Sequence, residues 1–309
     1  MSSSSAPGGE ARLALMAGIS CYLIWGFVPL VFQAIGALGV GPWEILAHRI
    51  VWSIPTAALF VLLAKQGHQV MRVLRHPRTL AWLFLSAVLI AINWVVFIWA
   101  VTSNRLLETS LGYYINPLVS MAAGALLFRE RIDRTGQVAI GLALVGVLVQ
   151  TVALGHLPWV SLVLAFSFGG YGVVRKQVAA DAQTGFLVET LLVGLVAAGY
   201  LAWLSAQGGG HFGDPLTSAW LIASGPITAI PLVLFAWAAR RVPLSLMGFL
   251  QFIAPTISFG IGLAQGELFT PLRALSFVFI WGGASVFLYG AWRRSRAASR
   301  DAMEAAPAE

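Results

Sequence analysis

Five side chains place ionisable chemistry inside otherwise apolar text: Glu44, His48, Arg49, Glu108 and Glu189. A charge at the centre of a bilayer costs about 2.5–3.5 kcal/mol on insertion scales, so each needs a partner or a task. His48 follows Glu44 by one helical turn and Trp52 follows by another, which puts the three on one helix face. A histidine beside a carboxylate titrates near neutral pH and is suited to moving a proton. Arg49 lies deepest in its run, with Glu44 or Glu108 as candidate partners. Two readings fit. In one, Glu44, His48, Arg49 and Glu108 form an outer polar cluster that binds a solute, couples to protons or gates, with Glu189 as the corresponding group of the second half. In the other, the same charges form static ion pairs that lock helices together.

A second set falls near the middle of its apolar runs: Asn93 and Trp94, then Tyr113, Tyr114, Asn116 and Pro117, then Gln251 and Pro255. Amides and phenols at this depth find no partner in lipid. Pro117 and Pro255 each free the backbone carbonyl four residues earlier, at Tyr113 and Gln251. A helix break beside a polar side chain, occurring twice, is what a midplane binding site needs. Trp25, Asn93, Trp94, Tyr113, Tyr114, Asn116 and Gln251 are therefore the candidate lining of a solute cavity. The competing reading makes the amides interhelical bonds, worth about 0.6 kcal/mol each on average, and the tryptophans packing or an interfacial belt.

The elements that position these residues are apolar helices. The chain of 309 residues is 59% hydrophobic and 10% charged, with a mean hydropathy of +0.83. Ten runs reach spanning length: 13–35, 43–64, 79–102, 106–128, 135–153, 157–174, 184–204, 217–238, 243–265 and 272–292. The first is too long for a signal-peptide core. Short connections carry turn residues such as Gly39, Pro77, Gly155, Gly208 and Pro271. Residues 1–11 are expected as a disordered tail and 295–309 as a cytoplasmic one. Of 19 Lys and Arg, 16 fall on one set of sides, including Lys65, Arg72, Arg129, Arg131, Arg175, Arg240 and Arg293; Arg105 and Arg273 fall on the other and Arg49 within a run. That asymmetry predicts ten spans with both termini cytoplasmic, in a bacterial inner membrane. The net charge of +7 is then topogenic and lipid-facing, with no nucleic-acid partner implied.

Residues 95–124 align without a gap to residues 233–262, with nine of 30 positions identical, among them Phe97/Phe235, Trp99/Trp237, Ile115/Ile253 and Pro117/Pro255. Five spans separate the copies, so the repeats insert in opposite senses. The expected fold is all-α and integral to the membrane: ten transmembrane helices as two inverted five-helix repeats, 12–153 and 154–294. Small-residue faces at Gly136, Gly141, Gly146, Gly260 and Gly262 allow close helix approach or a homodimer contact.

The sequence holds no phosphate-binding G-x-x-x-x-G-K-[ST] loop, no metal-ligand cluster, no serine-hydrolase elbow and no K⁺-type filter. No metal, cofactor or enzymatic reaction is therefore expected. A secondary transporter is the leading class, and because only one basic residue is buried, a small, partly apolar or zwitterionic solute is favoured over a polyanion. A non-transporting membrane subunit or sensor, a channel and an intramembrane enzyme follow. The motifs YLIWGFVP (22–29), EILAHRIVWS (44–53), NWVVFIWAV (93–101), LETSLGYYINPLV (107–119), LAFSFGGYGVVRK (164–176), QTGFLVET (183–190) and GFLQFIAPT (248–256) carry a family likeness. In these the chain resembles the drug/metabolite transporter superfamily in its EamA-type form, and within it the RarD branch, whose members are commonly labelled chloramphenicol-sensitivity proteins. The resemblance implies a small-molecule carrier with a central cavity formed mainly by spans 1–4 and 6–9.

Overall fold

The computed structural model describes residues 7–128, 133–239, 241 and 250–304. Among them the fold is helical, with no strand: α1 Pro7–Ala37, α2 Pro42–Leu63, α3 Gly67–Leu74, α4 Pro77–Thr102, α5 Leu106–Phe128, α6 Arg134–Leu154, α7 Trp159–Gln177, α8 Ala182–Ala206, α9 Pro215–Ala239, α10 Ile253–Ala264 and α11 Pro271–Glu304. Five long helices open on proline, which tolerates the first turn because its missing N–H has no helical acceptor there. Gly155 closes α6 in the left-handed region, at φ 72°, the conformation that glycine reaches without a Cβ clash.

Among the described residues, seven helices are long and apolar enough to cross a membrane, and α7 and α10 are shorter apolar helices. Leu195 is 82% exposed and Val196 74%. Buried polar groups sit inside this apolar outer surface, the arrangement a lipid solvent favours.

Several boundaries differ from expectation. Helix α1 begins at Pro7, inside the tail expected over 1–11, and α11 continues to Glu304, through most of the expected C-terminal tail. Residues 251–252 form a turn, and α10 begins at Ile253. Pro255 thus stands in the first turn of α10, where it is tolerated, instead of in the middle of a continuous span. Arg129, Arg131, Arg240 and the start of the run expected at 243 lie outside the described residues. Helix α3 was not expected; it buries Val70 and Val73 against α4 and α8.

The core is a set of helix pairs: α1 against α9 and α10, α2 against α8 and α9, α4 against α7 and α8, α5 against α7 and α10, and α6 against α11. Small residues set the closest approaches. A Cβ on Gly146 would meet Ile280 at 2.6 Å, and one on Gly283 would meet the Ala139 carbonyl at 2.8 Å, so α6 and α11 meet nearly backbone to backbone. Gly141, expected on such a face, has open space around it.

The connections collect in two groups. Asn104, Arg105, His156 and Gln265–Leu268 line one open cavity of about 780 Å³. The Gln66 amide donates to Asp181 at 3.1 Å and accepts from the Thr184 hydroxyl at 3.1 Å, joining the α2–α3 and α7–α8 connections.

Candidate functional site

The face expected to carry Glu44, His48 and Trp52 exists, and its partner is the α8–α9 connection. Glu44, 3% exposed, accepts the His211 backbone N–H at 2.7 Å, and His211 Nδ1 lies 2.8 Å from its other oxygen. The next residue, Phe212, stacks on the His48 ring with centroids 5.1 Å apart and on the Trp52 ring at 6.1 Å. Glycines at 208, 209, 210 and 213 let this segment bend back, Gly208 and Gly213 with positive φ. His48 Nδ1 and Trp52 Nε1 are buried with no hydrogen-bond partner among the described residues.

Arg49 does not pair with Glu44 or Glu108. It is 6% exposed, and its Nε donates to Thr228 Oγ1 at 2.7 Å. Its guanidinium lies over the Trp94 ring, 4.2 Å from the centroid, and 5.1 Å from that of Phe32. Such stacking is favourable for a desolvated cation. Its Nη1 is buried with no hydrogen-bond partner among the described residues. Glu108 instead accepts from Arg105 Nε at 2.6 Å, an i,i+3 pair beside the open cavity. The four expected members of one polar cluster thus split into three sites.

Glu267 was not anticipated. It accepts the backbone N–H groups of Leu106 and Leu107 and so caps α5 from the α10–α11 connection. Burial raises its carboxyl above the usual range against those two bonds. The raised value makes its contribution to stability greatest at acid pH, and that contribution falls as the carboxyl ionises. Asp214 shows the opposite sign. The Thr217 N–H and hydroxyl hold its carboxyl low while it caps α9, so what it contributes is lost only as strong acid protonates it.

Glu189 is the best-connected carboxylate. It is 2% exposed, accepts Ser86 Oγ at 2.5 Å and Tyr171 OH at 3.4 Å, and pairs with Arg175 Nη1 at 3.5 Å. It therefore ties α8 to α4 and α7.

The midplane candidates divide. Asn93 is 1% exposed; its amide N–H₂ donates to the Leu164 carbonyl and to Ser167 Oγ, both at 3.0 Å, and its carbonyl accepts Tyr113 OH at 3.1 Å. It bonds α4 to α5 and α7 with its polar atoms engaged. Tyr114 OH meets Thr256 Oγ1 at 2.7 Å, and its ring stacks on Phe252. Trp25 packs with Tyr22 and Phe235, and Trp94 forms one wall around Arg49. Asn116 Oδ1 is buried without a hydrogen-bond partner among the described residues. Gln251 is half-buried in the turn before α10, and Pro117 lies inside α5.

Comparison with known proteins decides the family. The model of the EamA-like transporter family matches residues 12–152. Protein RarD of Streptomyces exfoliatus is 42% identical over 303 residues, covering 96% of this chain and 94% of that protein. The chain belongs to the EamA/RarD drug/metabolite transporter family. An uncharacterized transporter of Vibrio cholerae is 39% identical over 297 residues, at 94% and 97% coverage. A solved crystal structure superposes with a TM-score of 0.58 at 19% identity, covering 88% of this chain and 96% of that one; this is a likeness of fold. Family membership and the apolar helices together make this a multi-pass membrane protein of transporter type. Within that EamA/RarD frame, the residues that sequence reasoning missed are His211, Phe212, Thr228, Ser86, Tyr171 and Glu267. The glycines around His211–Phe212 were the available signal for that pair.

Proposed function

We propose that this chain is a secondary transporter moving a small organic solute across a bacterial inner membrane by alternating access, through ten spans arranged as two inverted five-helix halves. The observation that carries this reading is the pattern of helix contacts. Exchange α1 with α7, α2 with α8, α4 with α9, α5 with α10 and α6 with α11, leaving α3 as a connection. The pair α1–α9 then becomes α7–α4, α5–α7 becomes α10–α1, and α2–α9 becomes α8–α4; α2–α8, α5–α10 and α6–α11 map onto themselves. A pseudo-two-fold of this kind suits a carrier that opens to either side by rocking one bundle against the other. The grouping of connections into two ends and the 16-to-2 charge split support cytoplasmic termini. On that orientation the His211–Phe212 segment closes the outer end over His48 and Trp52, with Glu44 as its anchor. Glu44, His48 and Glu189 are the groups available for proton coupling.

The test is counterflow in proteoliposomes loaded in turn with neutral amino acids, monocarboxylates and chloramphenicol. A carrier gives saturable counterflow of at least one of these. A flux that never saturates makes the protein a channel. No flux from correctly folded protein makes it a non-transporting subunit. Repeating the positive case under a pH gradient separates proton coupling from exchange.

A further inference from the structure

Arg49 is the one basic residue that the sequence places within an apolar run, seven residues into α2 and about 10 Å along its axis. Its surroundings are unusual for a buried cation. The three acids of the apolar runs are engaged elsewhere: Glu44 by His211, Glu108 by Arg105 and Glu189 by Arg175. What surrounds the guanidinium is aromatic and hydroxylic, with Trp94 and Phe32 over the group and Thr228 on Nε. Ring faces stabilise the charge but accept nothing from N–H bonds lying in the guanidinium plane. Among the described residues Nη1 therefore remains a buried donor with its bonding capacity unfilled. A buried donor left so is costly, the more when it is charged. Thr228 Oγ1 in turn donates to the Ser224 carbonyl at 2.8 Å, which fixes its acceptor lone pair on Arg49 Nε and holds the fork in one orientation. On the same helix, His48 Nδ1 and Trp52 Nε1 are buried and have no hydrogen-bond partner among the described residues either. Residues 48, 49 and 52 fall within about 100° of arc on α2.

We propose that the solute carries a single carboxylate, which docks on the Nη1 edge of Arg49 against the Trp94 and Phe32 rings. An oriented guanidinium edge fits a planar carboxylate by charge-assisted bonds, and the rings accept an apolar or aromatic body beside it. One buried cation with no counter-charge among the described residues neutralises one negative charge, so dianions and polyphosphates are excluded by desolvation. This rests on the carrier reading for its biological meaning; the binding itself does not require transport.

The experiment uses the full chain in lipid nanodiscs. The probes are monocarboxylates from acetate to 3-phenylpropanoate, each matched with its primary amide. The readout is the melting temperature as a function of probe concentration. At least one acid raises it with saturation, and its amide does not. Arg49→Gln abolishes the rise, and Arg49→Lys, which keeps the charge but loses the fork, shifts half-saturation by at least about tenfold. Should Arg49→Gln not fold, Arg49→Lys decides. The proposal is overturned if no acid acts, if amides act as well as acids, or if the acid effect is unchanged in Arg49→Lys. Acid binding through Arg49 without counterflow would instead remove the carrier reading and leave this site standing. Counterflow restricted to neutral solutes and unaltered in Arg49→Lys would do the reverse.

Discussion

Glu189→Leu is expected to lower the melting temperature of the purified protein by about 5–10 °C. The substitution takes the carboxylate from three groups at once and strands two of them, the Tyr171 hydroxyl and the Arg175 guanidinium, while the Ser86 hydroxyl keeps the Leu83 carbonyl at 2.9 Å. Removing one partner of a buried pair costs about 3–5 kcal/mol. Arg175, with a side chain 15% exposed, relieves part of that by reaching toward headgroups, which favours the lower end. At about 2–4 °C per kcal/mol for a large domain, the shift follows. Glu189→Gln keeps an acceptor for Ser86 and loses roughly half as much. That milder variant also tests coupling. If Glu189 carries the proton, Glu189→Gln retains counterflow at equal pH on both sides but loses accumulation driven by a pH gradient. Undiminished gradient-driven accumulation removes Glu189 from that role.

Gly225→Val should eliminate folded protein from the membrane. A Cβ there would lie 2.2 Å from the Trp52 carbonyl carbon and 2.7 Å from the Ser53 nitrogen. These are backbone atoms of α2, so no side chain can rotate away, and the helices themselves must separate. Overpacking that side-chain shifts can absorb costs about 1–3 kcal/mol; a backbone collision exceeds that. The same movement would break the Ser53–Gly225 and Arg49–Thr228 bonds, which cross the same contact. Gly199→Val serves as the control, because nothing lies within 4 Å of a Cβ at that position. Normal accumulation of Gly225→Val would mean that α2 and α9 do not pack as described.

How much of this was legible depended on range in the chain. Helix positions followed from apolar run length and from prolines at helix starts, both local signals, so Pro42, Pro77, Pro215 and Pro271 mark α2, α4, α9 and α11. The shared face of Glu44, His48 and Trp52 followed from helical periodicity. Its partner did not, because Glu44 and His211 are 167 residues apart and nothing local links them. The Arg105–Glu108 pair was readable from its i,i+3 spacing, yet Arg105 was weighed only as a charge outside the membrane. Arg49 was expected to find a carboxylate, since a buried cation ordinarily needs one. Two aromatic rings and a hydroxyl hold it instead, and run-length patterns carry no trace of that. Helix α3 was missed because its eight residues fall far below spanning length, and its apolar pair Val70 and Val73 makes a weak signal.

The inverted arrangement has one direct test. Cys21 is the only cysteine in the sequence, so Cys21→Ser gives a background without thiols. Into it go Arg72→Cys, after α2, and Gln207→Cys, after α8, two exposed positions that the proposed inverted arrangement makes equivalent. An impermeant maleimide added to intact cells with the outer membrane permeabilised should label Gln207→Cys and spare Arg72→Cys until the inner membrane is opened. Labelling of both, or of neither, from the outside would put equivalent connections on one face and contradict two halves of opposite insertion.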